Sequence, residues 1–280
     1  MSAVTFHQKA NVGHLVLRSP PTNFIGEGFN DDLRAAVHGA GESNSRALLI
    51  TAEGPNFSLG GAPWEWSDKS SAWFRTFIAE VTASYRAIEA LELPVVAAIR
   101  GQTAGGGLEL ALCADFIVAS VNTVLWCPEG MGGQVPMAGG YQRLIRSIGP
   151  VAARRMVMLA VPTPIGEVAG LAERVVVDGE LDRTAAELAT RLSNGPTRAY
   201  VAAKSLFRAY ESGGVGTADR LLADVTAGLF DTEDSRAALA AAADLREGRA
   251  DGQPSAPGPA AFPVAFRDAD RTALLASPHC

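Results

Sequence analysis

The stretch VVAAIRGQTAGGGLELALCADF, residues 95–116, joins a continuous apolar run to three glycines, Gly105 to Gly107, and then sets one glutamate, Glu109, among apolar residues. VVAAI (95–99) is apolar throughout rather than alternating, the pattern of a strand buried on both faces. Three consecutive glycines weaken a helix or strand by roughly 0.5–1 kcal/mol each relative to alanine, so they need a local reason. A Rossmann loop requires G-x-G-x-x-G and a Walker A loop ends in G-K-[ST]; GQTAGGG satisfies neither. The nucleophile elbow G-x-S-x-G is absent from the chain, which argues against a covalent hydrolase. A strand-to-helix junction fits better. There, glycines let the backbone approach a ligand with bare N–H groups, and a helix N-terminus favours negative charge. That arrangement suits a developing oxyanion.

A second loop of the same kind follows the apolar strand RALLITA (46–52). It is FSLGGA (57–62), with Gly60 and Gly61. Two adjacent parallel strands could aim one N–H from each loop at a single carbonyl oxygen. For either loop alone, a tight turn that needs positive φ is the favoured reading. Two carboxylates stand nearby in sequence. Glu109 falls in the first turn of a helix expected over 108–113, where the helix dipole alone would account for it. Glu129 lies in LWCPEGMGG, a loop after a strand, where an exposed turn residue is the plain reading. Taken together, two carboxylates beside two glycine loops would form a general acid/base pair facing an oxyanion hole.

The rest of the chain supplies the frame. HLVLRS (14–19) reads as a strand and PPTN (20–23) breaks it; GFNDDLRAAVHGA (28–40) reads as a helix. From Trp73, the residues Phe74, Phe77, Ile78, Val81, Tyr85 and Ile88 recur at helical spacing up to Pro94. FIVAS, TVLW and RVVV read as strands, and two helices part at Gly149-Pro150. From Leu181 onward the pattern is helical. Strands alternating with helices imply a largely parallel sheet with helices packed outside it. The expected organisation is an α/β core over 1–195, a helical region over 196–249 and an extended Pro/Ala-rich tail over 250–280.

Composition narrows the function classes. The chain has 280 residues, 19% charged and 48% apolar, as an ordinary globular protein does, and a net charge of -6. That acidity argues against nucleic acid or an anionic membrane as partner. Three cysteines, Cys113, Cys127 and Cys280, form no C-x-x-C pair, and four scattered histidines show no metal-ligand spacing, so no metal site is expected. No signal-peptide pattern and no long apolar run is present, and the expected location is cytoplasmic.

Several segments together carry a resemblance. PPTN, NFSLGGA, PVVAAIRGQTAGGGLELALCADFIVAS, PEGMGGQVPMAGGYQRLIRSIG, EVAGLAERVV and FDTEDSRAAL stand in the order and spacing of the crotonase (enoyl-CoA hydratase/isomerase) superfamily, from about residue 10 to 248. The resemblance implies a crotonase-like α/β fold of repeated ββα units with a helical C-terminal region that serves trimerisation. It implies oxyanion-hole N–H groups from Gly61 and Gly106, and places Glu109 and Glu129 at the two glutamate positions of true enoyl-CoA hydratases. Ser58, Leu59, Ala62, Trp64, Gly105, Gly132 and Gly133 fall at substrate-binding positions. The implied reaction is syn addition of water across a trans-2-enoyl thioester, with no cofactor beyond the coenzyme A or phosphopantetheine of the substrate. A homotrimer or homohexamer is implied as the assembly.

Two places depart from the family pattern. The first loop often reads GADLKE; here Ala62 replaces the acid and Trp64 stands where a base is expected. The C-terminal helix often carries Ala-Phe-x-Glu-Lys-Arg; here Ala241 to Arg246 reads AAADLR, without the aromatic and the lysine that help hold coenzyme A in relatives. These departures leave room for a specialised crotonase, a dehydratase, isomerase or decarboxylase. Its acyl chain could ride on an acyl carrier protein. Trp64, Trp66, Trp73 and Phe74 cluster where relatives line the acyl pocket, although an aromatic stripe at helical spacing also serves a core.

Overall fold

The computed structural model describes residues 2–168 and 170–246. The expected tail, 250–280, lies outside the described residues. The chain parts into two compact units between Arg191 and Leu192; the sequence reading put that boundary after residue 195.

The first unit is built on a six-stranded sheet. Its strands are β1 (Val4–Lys9), β2 (Val12–Leu17), β3 (Ala47–Ala52), β4 (Val95–Ile99), β6 (Phe116–Ser120) and β9 (Arg174–Val176), in that spatial order. β1 and β2 pair antiparallel, and every later pair is parallel. All five residues of β4 are buried, as expected for an inner strand of a parallel sheet. A second, three-stranded sheet holds β5 (Gln102–Ala104), β7 (Val124–Trp126) and β8 (Thr163–Pro164). β1 and β5 have no counterpart in the sequence reading. β1 carries polar residues and is exposed toward its end, and β5 has three residues beside glycines.

Helices cover the sheet. α1 (Glu27–Glu42) buries Phe29, Leu33, Ala36, Val37 and Ala40, an i, i+4, i+7, i+8, i+11 stripe. α2 (Ser71–Ala90) starts at Ser70, whose Oγ accepts the Trp73 N–H and satisfies one free donor of the first turn. It buries Phe77, Val81, Tyr85 and Ile88, while Phe74 and Ile78 of the expected stripe are only half-buried. α3 (Gly106–Ala111) begins two residues before the expected start, because Gly105 at φ 50 makes the turn and frees Gly106 to open the helix. α4 (Gly140–Leu159) kinks at Gly149, φ 79 and ψ 166, as the Gly149-Pro150 pair predicts. α5 (Leu181–Ser193) runs through the boundary, its last two residues falling in the second unit.

The second unit is helical among its described residues: α6 (Thr197–Gly213), α7 (Val215–Phe230) and α8 (Glu233–Arg246). α6 and α7 pack on each other across a break at Gly214, which sits at φ 72. Phe207, Tyr210, Val215 and Phe230 are exposed on them. No described helix is long and apolar enough to cross a membrane.

Candidate active site

β3 and β4 are neighbours, so the loops that leave their ends run side by side. The first, 53–62, is tied down by Asn23. Its Nδ2 donates to the carbonyls of Glu53 and Asn56, both at 3.0 Å. Ser58 is fully buried; its Oγ donates to the Asn23 carbonyl at 2.7 Å and accepts the Gly60 N–H at 3.1 Å. Ala104 N–H then donates to Ser58 O at 2.8 Å, stitching this loop to β5.

The stitching turns one N–H of each loop outward. Ile25 N–H donates to Gly60 O at 2.8 Å and Ile25 O accepts from Ala62 N–H at 3.3 Å, a parallel bridge centred on Gly61. In such a bridge the bonds go to the residues on either side, so the N–H of Gly61 faces away from Ile25. Gly105 N–H is spent on Trp126 O at 2.9 Å. Gly106 is the first residue of α3, and its N–H has no acceptor within the helix. Gly60 explains why the loops can lie so close. At φ 89, a Cβ there would come within 2.8 Å of Ala104 O and 3.1 Å of Gly106 N.

The carboxylates reach the same place from α3 itself and from the turn after β7. Glu109, on α3, is 4% exposed. Its Oε1 accepts the N–H groups of Ala138 and Gly140, each at 2.7 Å. Burial raises its pKa above the ordinary carboxylate value, and these bonds pull it partway back. Glu129 sits in the 3₁₀ turn Pro128–Gly132 that follows β7. Its pKa is pushed up to about 7, chiefly by burial and further by the negative Glu109. Among the described residues its buried Oε2 has no hydrogen-bond partner. A buried, unpaired acceptor is costly unless something else fills the bond.

These groups share one cavity of about 560 Å³. Gly61, Gly106, Glu109, Glu129 and Tyr85 line it, with Trp66, Phe74, Phe77, Ile78 and Val81 forming an apolar wall. Of the other expected substrate-binding residues, Leu59, Gly105 and Gly132 line the cavity. Ser58, Ala62, Trp64 and Gly133 do not line it. Ser58 and Ala62 are buried behind it, Gly133 ends the 3₁₀ turn, and Trp64 is 59% exposed, set edge-on to Phe24 at 4.6 Å. Trp66 takes the wall position instead, packed at 5.5 Å from Phe74 and 5.7 Å from Phe77. Trp73 stacks on Phe77 at 5.1 Å from outside the lining.

The sequence reading gives Tyr85 only as one of the residues at helical spacing. It is fully buried, and its hydroxyl donates to Gly106 O at 2.7 Å, holding the start of α3. Burial pushes its pKa well above the usual phenol value, so it stays protonated as that donor. Nothing but the helical spacing of Tyr85 pointed inward, and that spacing does not reveal its hydroxyl bond. Lys69 and Gln134 at the cavity wall carried no signal either. Among the described residues no cluster of His, Cys, Asp or Glu could hold a metal ion.

The sequence profile of the enoyl-CoA hydratase/isomerase family matches residues 7–247. The chain belongs to that family, and its fold is crotonase-like. Over 204 residues it is 31% identical to the carnitinyl-CoA dehydratase of Proteus mirabilis (strain HI4320), covering 72% of this chain and 78% of that protein. The corresponding protein of Salmonella typhi is 36% identical over 166 residues, 59% of this chain; the match spans 64% of that relative's length. Among solved structures, the enoyl-CoA hydratase of Bacillus anthracis superposes with a TM-score of 0.81 at 25% identity, covering 88% of this chain and 96% of that one. A Geobacillus kaustophilus HTA426 enoyl-CoA hydratase subunit gives 0.81 at 26% identity, covering 89% and 96%.

Proposed function

We propose that this protein is a hydro-lyase of acyl thioesters, which as an enoyl-CoA hydratase adds water across a trans-2-enoyl thioester. The observation that carries the proposal is one cavity lined by two carboxylates and by two glycines whose N–H groups turn outward. The thioester oxygen would lie against Gly61 and Gly106, where two backbone donors stabilise the negative charge that builds as water attacks C3. Losing one such donor costs on the order of 10²–10³ in rate.

In this mechanism the attacking water gives a proton to one carboxylate as the new C–O bond forms. The C2–C3 π electrons move into an enolate on the thioester oxygen. The other carboxyl group, protonated at the start, delivers its proton to C2 and the carbonyl reforms. The pair thereby keeps one proton, transferred from one member to the other. Glu129 near 7 suits a pair holding a single proton at neutral pH, and the ionisations belong to the pair jointly. The chemistry is its own reverse, so dehydration of a 3-hydroxyacyl thioester uses the same groups. The relatives named for dehydrating carnitinyl-CoA fit that direction.

The test is hydration of crotonyl-CoA, followed by loss of the enoyl thioester absorbance, in the wild type, Glu109→Gln and Glu129→Gln. Turnover that survives at wild-type rate in either variant overturns the role of that residue. A second reading, a dehydratase, isomerase or decarboxylase for an unusual or carrier-protein-bound acyl group, is supported by the aromatic wall of Trp66, Phe74 and Phe77. A panel of thioesters on coenzyme A and on a phosphopantetheine carrier separates the two. The coenzyme or its phosphopantetheine arm enters as part of the substrate. We further propose a homotrimer or homohexamer, a reading supported by the exposed Phe207, Tyr210, Val215 and Phe230. A monomer by light scattering would sink it.

A further inference from the structure

We propose that Arg143, with Glu89, is a positioning pair that sets the carboxylate of Glu109 through the peptide segment 138–140. The inference rests on the hydratase reading of Glu109. Arg143, on α4, is only 8% exposed. Its Nε and Nη2 donate to the two oxygens of Glu89 on α2, at 2.8 and 2.6 Å, a bidentate pair. Its third nitrogen, Nη1, donates to Ala138 O at 2.7 Å. The N–H of that same Ala138, and the N–H of Gly140, both end on Glu109 Oε1. The segment 138–140 is therefore held by Arg143 on one side and holds Glu109 on the other.

The two glycines of AGGY (138–141) show how tight this sandwich is. A Cβ on Gly139, at φ 91, would lie 2.4 Å from Arg143 Nη1. A Cβ on Gly140 would lie 2.7 Å from Glu109 Cγ. Oε1 is spent on the Ala138 and Gly140 N–H groups and the Met137 peptide further stabilises the carboxylate, so the orientation of this segment decides how Glu109 faces the cavity. The charged and titratable groups around Glu109 come from every side: Tyr85 and Glu89 on α2, Cys113 just after α3, Cys127 and Glu129 beyond β7, Arg143 on α4 and, acting on Cys113, Arg146 of the same helix. Of the two arginines, Arg143 acts on Glu109 itself and favours its ionised form.

A positioning pair of opposite charges makes a signed prediction. The ionisation of Glu109 is read directly as the ¹³C carboxyl shift of glutamate-labelled protein, assigned by its disappearance in Glu109→Gln. In Arg143→Met the midpoint moves to higher pH, because a nearby positive charge is gone. In Glu89→Gln it moves to lower pH, because Arg143 is no longer neutralised. Arg143→Lys, which keeps the charge, stays closer to the wild type and serves if Arg143→Met fails to fold. In hydration of crotonyl-CoA, Arg143→Met lowers kcat at least tenfold with KM within about twofold. In the Glu109→Gln background it costs no further rate.

Midpoints that shift in the same direction in both charge variants, or not at all in folded protein, overturn the proposal. So does an undiminished rate loss in the Glu109→Gln background. Full hydration by Glu109→Gln alone would instead overturn the hydratase reading, and the carboxyl titrations would still report on the pair.

Discussion

Glu109 and Glu129 line one cavity but are held in opposite ways. Glu109 sits on the short helix α3, packed against β5 and α4, 4% exposed, with one oxygen fixed by two backbone N–H groups. Glu129 sits on a 3₁₀ turn, and its buried Oε2 has no partner among the described residues. Desolvation raises both, but only Glu109 has bonds from a neighbouring segment to offset it. The difference shows how one fold can give two chemically identical side chains separate duties. A carboxylate tied by two N–H groups keeps a fixed geometry. One with an open oxygen and a pKa near neutrality can exchange its proton with whatever enters the cavity.

The strongest way to break this comparison is to neutralise each member in turn. Glu109→Gln can keep both N–H bonds through its amide oxygen, and Glu129→Gln keeps the side-chain shape. We expect hydration to fall by about 10³ or more in each, within the range for loss of a general acid or base, with melting temperatures no lower than the wild type. If only one variant loses activity, the two carboxylates are not a pair and the single essential residue points to isomerase-like chemistry.

Next in size is the seam between the loops. Gly60→Ala forces a methyl group to within 3.1 Å of Gly106 N and 2.8 Å of Ala104 O, at a φ of 89 that alanine resists. Moving Gly61 and Gly106 apart should cost roughly 10²-fold in kcat, the value of one oxyanion donor. A variant that folds and turns over normally would show that these N–H groups do not meet the substrate oxygen. The pH profile sharpens the same point at a smaller scale. A pair that works with one proton gives a bell-shaped kcat/KM, with its alkaline limb near 7, where Glu129 loses its proton. A flat profile from acid to alkaline pH would mean that no proton is shared.

How far the sequence disclosed this arrangement depends on whether the determining contacts are local. β4, the glycine loops and both glutamates stand out because apolar runs, glycine pairs and lone acids are visible within a few residues. β1 hid because an edge strand tolerates polar side chains, and β5 because three residues give no period. By resemblance Trp64, and not Trp66, falls at a substrate-binding position. Only the 3₁₀ turn over Pro63–Glu65 sends Trp64 out against Phe24 and Trp66 in against Phe74. Ser58 reads as a substrate contact by resemblance, yet its hydroxyl is spent on Asn23 and Gly60. The Arg143–Glu89 pair joins residues 54 positions apart on two helices, a separation that no spacing rule reaches.

The smallest expected effect isolates Glu129 from catalysis altogether. In the folded protein it holds its proton up to about 7, whereas an unfolded chain releases it at the ordinary carboxylate value near 4.5. Between those values the folded state binds more protons than the unfolded one, so this residue makes stability fall as pH rises through the window. Below it the side chain is neutral in both states and costs nothing; above about 7 the cost is complete. Glutamine has no such cost. Glu129→Gln should therefore match the wild type in melting temperature near pH 4.5 and exceed it at pH 8. The gain should be about 2 kcal/mol once partial exposure is allowed for. Glu109→Gln, whose wild-type carboxylate is repaid by two backbone bonds, should gain less. Equal gains in the two variants would mean that the N–H groups of Ala138 and Gly140 do not distinguish the two carboxylates.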